Sequence, residues 1–370
     1  MLQLRIIGIE ESRENEALKK NLQMAMAYFK VEFLLQEVKE VDEIMQEDIQ
    51  GIPALFINEE LVFQKQVPSV EDIVRAIKLQ LQKRDKKWLV KRILVPTDFS
   101  DASLNGFTFA QHLAKRFGAE VKLLHCFHSG TDANYPFAKE EKKDFQIIAR
   151  ERLRKFEEKG RLKSEENGIA TLDKVETEAI SGFATEEIVK ASKEPDIDMV
   201  VMATTGSHGM LGKFFGTVST AVAKNAGCPV LLVPPNVRYR PFENILYASN
   251  HESADTGAIE NLMLFAGQFE GNLHFVHIER KSTRGVNVAD VVFDGTMGKI
   301  ESQPNIIFDT IQASSIAQGL NQYSEKNDVD LIVMVTRYRN IVDSWLHRSK
   351  TKQMIMDVER PLLVLHHDQL

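Results

Sequence analysis

Two lists of short apolar runs, the second repeating the first, constrain this chain more than any other feature. RILVPT, KLLHCF, VETEAI, MVVMAT and PVLLVP run from Arg92 to Pro234, and NILYAS, LHFVHI, IIFDTI, LIVMVT and PLLVLH follow from Asn244 to His366. Met202 aligns with Met334 and Pro229 with Pro361, a constant offset of 132 residues through the last part of each list. Self-similarity of this kind marks an internal duplication. Runs this short and apolar, alternating with helix-length segments, predict parallel βαβ units with helices on both sheet faces. The chain's 370 residues, 43% hydrophobic and 27% charged, can fill such cores and divide into two or three domains.

The residues before the duplication follow another order. LQLRIIGI reads as a strand, ENEALKKNLQMAMAYF as an amphipathic helix and VEFLLQEV as a second strand. ALFINEELVF then predicts a hairpin through Asn58 to Glu60, and SVEDIVRAIKLQLQ a closing helix with Ser69 as N-cap and Asp72 three residues on. The run QKRDKK, Gln82 to Lys87, has no apolar residue to pack and reads as a linker. In the first repeat, EEKKDFQIIARERLRKFEEKGRLKSEEN reads as a charged, solvated helix covering one sheet face.

A formal net charge of -7 argues against nucleic acid or an anionic membrane as partner. Cys126 and Cys228 are the only cysteines and form no disulfide or zinc pattern, which fits a reducing cytoplasm. Both read as packed strand-end residues. The first twenty residues turn acidic at once, unlike a signal peptide, and no apolar run approaches the roughly 20 residues that span a bilayer.

The stretch with most chemistry is TTGSHGMLGKFFGT, Thr204 to Thr217, at the fourth strand end of the first repeat. Doubly wound sheets bind ligands beyond their strand carboxyl ends, where helix N-termini present free N–H groups. Walker A fails, because Ser207 and Phe214 stand where Gly and Ser or Thr are needed around Gly212-Lys213. The dinucleotide pattern fails as well, since Gly206, Gly209 and Gly212 are evenly spaced.

These residues resemble the universal stress protein family, whose nucleotide-binding members carry Gly, two residues, Gly, nine residues, Gly, then Ser or Thr. Ala203 takes the place of the first glycine, Gly206 the second, and Gly216-Thr217 closes the motif, so the spacing fits with one substitution. The family's early Pro-Thr-Asp is matched by Pro96, Thr97 and Asp98. The resemblance covers both repeats and implies two doubly wound parallel-sheet α/β domains, 90–237 and 241–370, of which the first binds an adenine nucleotide such as ATP. It places Asp98 by the ribose and adenine, Cys126 as backbone contact to the base, Met202 beside it, and Gly206 and Gly216 against the phosphates. Thr217, Val218 and Ser219 would supply N–H and hydroxyl groups, and magnesium could accompany the phosphates. Read without the resemblance, the glycines also serve as turns and Asp98 as a helix cap. His208 shows no partner in the sequence and reads as solvent-facing.

The second repeat puts Val335, Tyr338 and Arg348 at the positions of Ala203, Gly206 and Gly216, and Ala248, Ser249 and Asn250 at those of Pro96, Thr97 and Asp98. Only Ser349 remains from the phosphate end, so this half reads as nucleotide-empty. Family members commonly pair two units about a two-fold axis with their last strands side by side, which implies an internal pseudo-dimer through PVLLVPP and PLLVLHH. TRGVNVADVVFDGTMGKIES reads as a mobile loop.

The N-terminal order, with GIPALFINEELVFQKQVPSVEDI, resembles small glutaredoxin-sized members of the thioredoxin-like family, and implies a cis proline at Pro53. Thiol chemistry needs a cysteine after the first strand, and IEESREN, Ile9 to Asn15, has none. Residues 1–82 are therefore expected to serve recognition or oligomerisation, with 83–89 as linker. The whole is expected to be a cytoplasmic sensor or adaptor that acts through an unidentified protein partner, and not an enzyme. A nucleotide-free scaffold and a slow nucleotide hydrolase are the alternatives.

Overall fold

A computed structural model describes the chain except for residues 1, 11, 30, 48, 86–88, 128–137, 167, 169–171, 173, 205–215, 250–255, 280–304, 315, 337–359 and 367–370. It divides into two compact units, one of residues 1–87 and 194–196, the other of 88–193 and 197–370.

The first unit runs β1 (Leu2–Ile7), α1 (Arg13–Met26), β2 (Phe33–Val38), α2 (Val41–Ile44), β3 (Ala54–Ile57), β4 (Glu60–Gln64) and α3 (Val70–Asp85). Its sheet has the order β2-β1-β3-β4, with β1 and β2 parallel, β3 antiparallel to β1, and β4 antiparallel to β3. The hairpin turns on Asn58 and Glu59, at φ 50° and 69°, the left-handed pair that matches strand twist in a two-residue turn. Ser69 Oγ accepts from Asp72 N at 3.1 Å while Asp72 Oδ2 accepts from Ser69 N at 3.3 Å, the reciprocal cap expected of that spacing. Ile52-Pro53 is cis. Helix α3 carries on through Gln82–Asp85, so the first part of the charged run is helical rather than linker.

All ten strands expected of the duplication form, in one ten-stranded sheet. The first repeat gives β5 (Arg92–Pro96), α4 (Asp101–Phe117), β6 (Glu120–Phe127), α5 (Ala138–Glu166), β7 (Val175–Ser181), α6 (Ala184–Ala191), β8 (Met199–Ala203), α7 (Thr217–Asn225) and β9 (Val230–Val233). The second gives β10 (Asn244–Ser249), α8 (Thr256–Gly267), β11 (Asn272–Glu279), β12 (Asn305–Gln312), α9 (Ile316–Lys326), β13 (Leu331–Thr336) and β14 (Leu362–His366). Strand order is β12-β11-β10-β13-β14-β9-β8-β5-β6-β7. The two halves mirror each other about the β14/β9 seam, where Leu362, Leu363 and Val364 lie antiparallel to Leu232, Leu231 and Val230. The side-by-side last strands expected of the pseudo-dimer are thus present within one chain.

Side-chain alternation sends Ile93, Val95, Leu123 and Val201 to one face, under α4, α5 and α8, and Leu94, Leu124, Val200 and Leu232 to the other, under α6, α7 and α9. Each face buries residues from both repeats. The duplication extends to a shared pair of hydrogen bonds. Asp198 Oδ2 accepts from the backbone N–H of Lys91 and Arg92 at 2.8 and 3.0 Å, and Asp330 Oδ2 accepts from Glu243 and Asn244 at 2.8 and 2.9 Å. The two aspartates obey the same 132-residue offset. Each one ties the start of its repeat's first strand to the strand that follows it.

Candidate functional site

In the first repeat the chain leaves β5 for β6 on one side, then crosses to β8 on the other, so the crevice beyond β5 and β8 is a topological switch point. Pro96, at the end of β5, is buried opposite Leu124. Asp98, Cys126 and Ala203 therefore stand at three neighbouring strand ends on one edge of the sheet.

Beyond β8, one carbonyl organises the site. Thr204 O accepts from Gly216 N and from Ser219 Oγ, the latter at 2.8 Å, while Thr204 N donates to Val233 O at 3.0 Å. The start of α7 is thereby clasped to the end of β8. Gly216 is the N-cap of α7 and offers no side-chain cap, and Thr220 N is the first helix donor seen bonded to Gly216 O. The N–H groups of Thr217, Val218 and Ser219 have no acceptor within the helix, an arrangement suited to an anion. Thr217 is exposed, and Gly216 and Val218 are partly exposed.

The structure refines two residues here. Gly216 has φ -65° and ψ 157°, angles any L residue adopts, so backbone freedom is not why glycine stands there. The Ser219 hydroxyl is buried and shared between Thr204 O and Gly216 O, so its contribution to a ligand is the backbone N–H alone. Gly206 and His208, like Tyr338, Arg348, Ser349, Asn250 and the glycine-rich loop of the second repeat, lie outside the described residues.

The acidic loop after β5 is held at every position. Thr97 is buried; its hydroxyl accepts from Phe99 N at 3.0 Å and meets Ser103 Oγ at 3.0 Å, so its side chain shapes the loop. Asp98 is exposed, and its Oδ1 accepts from Ser100 N at 3.1 Å and Ser100 Oγ at 2.6 Å. The cap of α4 is Ser100, whose Oγ accepts from Ser103 N, so Asp98 orients the cap rather than serving as it. Phe99 sits at φ 66°, a conformation that costs a non-glycine residue about 1 kcal/mol and persists only where its surroundings enforce it.

Sequence reasoning missed three residues here. His125 donates Nδ1–H to the Thr97 carbonyl at 2.8 Å, a direction set by the acceptor, and burial holds its pKa below the usual histidine value. Phe99 packs on that imidazole at 4.2 Å. Gly106, inside α4, lies so close to β8 that a Cβ would come within 3.2 Å of Ala203 N. Glycine in a helix interior was the signal that could have revealed it.

Cys126 is partly buried among apolar side chains, with Met202 in that same cluster and Val218 packed against it. Burial, reinforced by Glu187 and Glu178, pushes its thiol up to about 12. A thiol that stays protonated at neutral pH is a poor nucleophile, which agrees with a packing role. Met202, Cys126 and Val218 thus pack together in the core, Asp98 follows the end of β5, and α7 begins beyond β8 without a side-chain cap.

Comparison with known proteins bears on this geometry. A family model for universal stress proteins matches residues 90–234, and a thioredoxin-domain model matches residues 12–78. A universal stress protein of Methanocaldococcus jannaschii is 33% identical over 150 residues, which are 40% of this chain and 85% of the relative. The chain belongs to the universal stress protein family. Universal stress protein YxiE of Bacillus subtilis is 28% identical over 151 residues, 39% of this chain and 99% of YxiE. A universal stress protein structure from Archaeoglobus fulgidus covers 74% of this chain and 98% of its own, at TM-score 0.51 and 19% identity. That span exceeds one repeat and shows the fold of a tandem universal stress protein. The first unit is thioredoxin-like and holds neither cysteine. No helix among the described residues is long and apolar enough to cross a membrane.

Proposed function

We propose that the first repeat binds an adenine nucleotide, ATP foremost, and that the chain acts as a cytoplasmic sensor or adaptor rather than as an enzyme. One observation carries the reading: the start of α7, without a side-chain cap, is clasped to the end of β8 through Thr204 O, beside the β5 strand end that Asp98 follows at the β5/β8 switch point. The cluster of Met202, Cys126 and Val218 suits a base, the carboxylate suits ribose hydroxyls, and the N–H groups of the first turn of α7 suit phosphates. Magnesium would arrive with the phosphates. Ala203 is the smallest departure from the glycine at that place, so the substitution adds only a methyl group there.

The second repeat serves as the packing partner, because the glycines and the Asp98 carboxylate are replaced there. The cysteine-free thioredoxin-like unit serves as a recognition module for a protein partner; Leu34 and Leu35 are exposed on its edge strand β2.

Equilibrium titration of ATP into the wild type and Gly216→Arg tests the reading. The variant's backbone angles are unstrained for arginine, so a binding loss of more than about tenfold would report the site and not misfolding. Absence of wild-type binding overturns the proposal, and equal binding by both proteins moves the site elsewhere. Turnover of ATP at rates typical of enzymes, about 1 per second or faster, would favour a hydrolase instead.

A further inference from the structure

We propose that Phe99 and His125 are positioning residues that aim the Asp98 carboxylate, and that through it they set discrimination between ribose and deoxyribose. The inference rests on the nucleotide reading above and concerns residues that the spacing of glycines does not touch.

Asp98 stands on a loop between β5 and α4, and an exposed carboxylate on a loop is ordinarily free to swing. Here its neighbours remove that freedom in sequence. The Thr97 backbone N donates to Leu124 O at 2.9 Å, and Thr97 O accepts from His125 Nδ1 at 2.8 Å, so the residue before Asp98 is tied twice to β6. The residue after it, Phe99, is held by its own N–H on Thr97 Oγ1 at 3.0 Å. Phe99 adopts the left-handed conformation at φ 66°. A phenylalanine does not stay there unaided, and its ring supplies the restraint. The ring packs against the His125 imidazole, tilted by 38° with centroids 4.2 Å apart, the Arg152 guanidinium lies over the ring at 4.3 Å, and Phe156 meets it edge-on at 5.7 Å.

His125 thus does two things with one side chain. Its Nδ1–H fixes the carbonyl before Asp98, and its ring face supports the aromatic after it. The remaining neighbour, Ser100, fixes the carboxylate rotamer by donating twice to Oδ1. A carboxylate fixed on both flanks and at one oxygen presents a directed acceptor for vicinal hydroxyl groups. Directed acceptors discriminate against a ligand that lacks the donor, because the acceptor is then left desolvated and unpaired.

The test compares ATP with 2′-deoxy-ATP and 3′-deoxy-ATP by equilibrium binding to the wild type, Phe99→Gly, His125→Ala and Phe99→Tyr. Glycine accepts the positive φ, so Phe99→Gly removes the ring without forcing the turn, and Phe99→Tyr keeps the ring as a conservative rescue. The expected wild-type preference for ATP over at least one deoxy analogue is about tenfold or more. Phe99→Gly and His125→Ala should each bring that ratio below about threefold, chiefly by weakening ATP, and Phe99→Tyr should retain it. A merely structural role would weaken all three ligands together and leave the ratio intact, which overturns the inference. A wild type that binds ATP without preferring it over either analogue overturns it as well. A wild type that binds none of the three ligands instead refutes the nucleotide reading, and this inference falls with it.

Discussion

His112 lies partly exposed on α4 with its ring stacked on Tyr239 at 4.0 Å. Burial pushes its pKa down from 6.5 to about 4, so the folded chain resists a proton that the unfolded chain accepts. The sign follows from linkage: the stability it contributes is present above pH 6.5 and is lost as pH falls toward 4. The full shift corresponds to about 3 kcal/mol, and solvent screening of a partly exposed ring reduces this to about 1–2 kcal/mol. Melting temperatures from pH 7 to pH 4 should fall less steeply in His112→Phe, which keeps an aromatic stack. Parallel curves for the two proteins would remove His112 as the cause. At this scale the sequence named positions better than partners. The family motif places Asp98 and Gly216 in the sequence, but that Ser219 turns its hydroxyl onto Thr204 O, or that Thr97 turns inward to Ser103, depends on contacts made after the chain folds. Asp198 and Asp330 were recoverable from the 132-residue offset, yet nothing in their local sequence announces the paired backbone N–H groups they accept.

Helix α5 shows how much an element's pattern reveals. Its charge reads as a solvated helix, and the structure agrees on one face: Ala149, Leu153, Phe156 and Gly160 are buried at helical spacing while most charged residues face outward. Gly160 is placed by its neighbour. A Cβ there would lie 2.3 Å from Cδ1 and Cε1 of Phe107, which is itself 1% exposed on α4. Helix propensity alone would make Gly160→Ala stabilising by about 1 kcal/mol, whereas overpacking a closed aromatic contact costs about 1–3 kcal/mol. Overpacking wins, and urea unfolding should show the variant destabilised by about 1–2 kcal/mol. The same substitution placed on Phe107→Leu should be neutral or stabilising, since the smaller side chain vacates the contact. Stabilisation by Gly160→Ala in the wild-type background would show that α4 and α5 are not held at this distance. The limits of pattern show in α3, where Gln82–Asp85 stay helical although no apolar residue demands it. Good helix formers extend a helix already nucleated by a packed face, so a charged run following such a helix does not mark its end.

The whole duplicated unit is joined at two levels. Along the sheet, β14 pairs with β9, and the strand orders of the halves mirror each other about that seam. Above one face, Phe117 of α4 meets Phe265 and Phe269 at 6.3 and 6.0 Å, and Arg116 Nε donates to Gln268 O at 2.8 Å. Phe109 meets Phe242, which in turn meets Phe269 at 4.8 Å, so aromatic side chains bridge the repeats. The duplication and the pairing of last strands were legible because both halves keep the same alternation of strands and a constant offset. This aromatic bridge was not, since its partners lie far apart in sequence and only the mirrored packing brings α4 to α8. Such a bridge makes the halves cooperative: neither buries its seam strand or its side of the aromatic cluster alone. Leu231 sits in the seam at 1% exposure, paired with Leu363. Leu231→Ala should cost about 2–5 kcal/mol, and its effect should cross the seam. Hydrogen exchange should show amide protection in β13 of the second repeat falling with that in β8 of the first, because both open in one cooperative unit. Loss of protection confined to β8 and β9 would mean that the repeats fold independently. In that case the second repeat could not sense what the first one binds through the sheet they share.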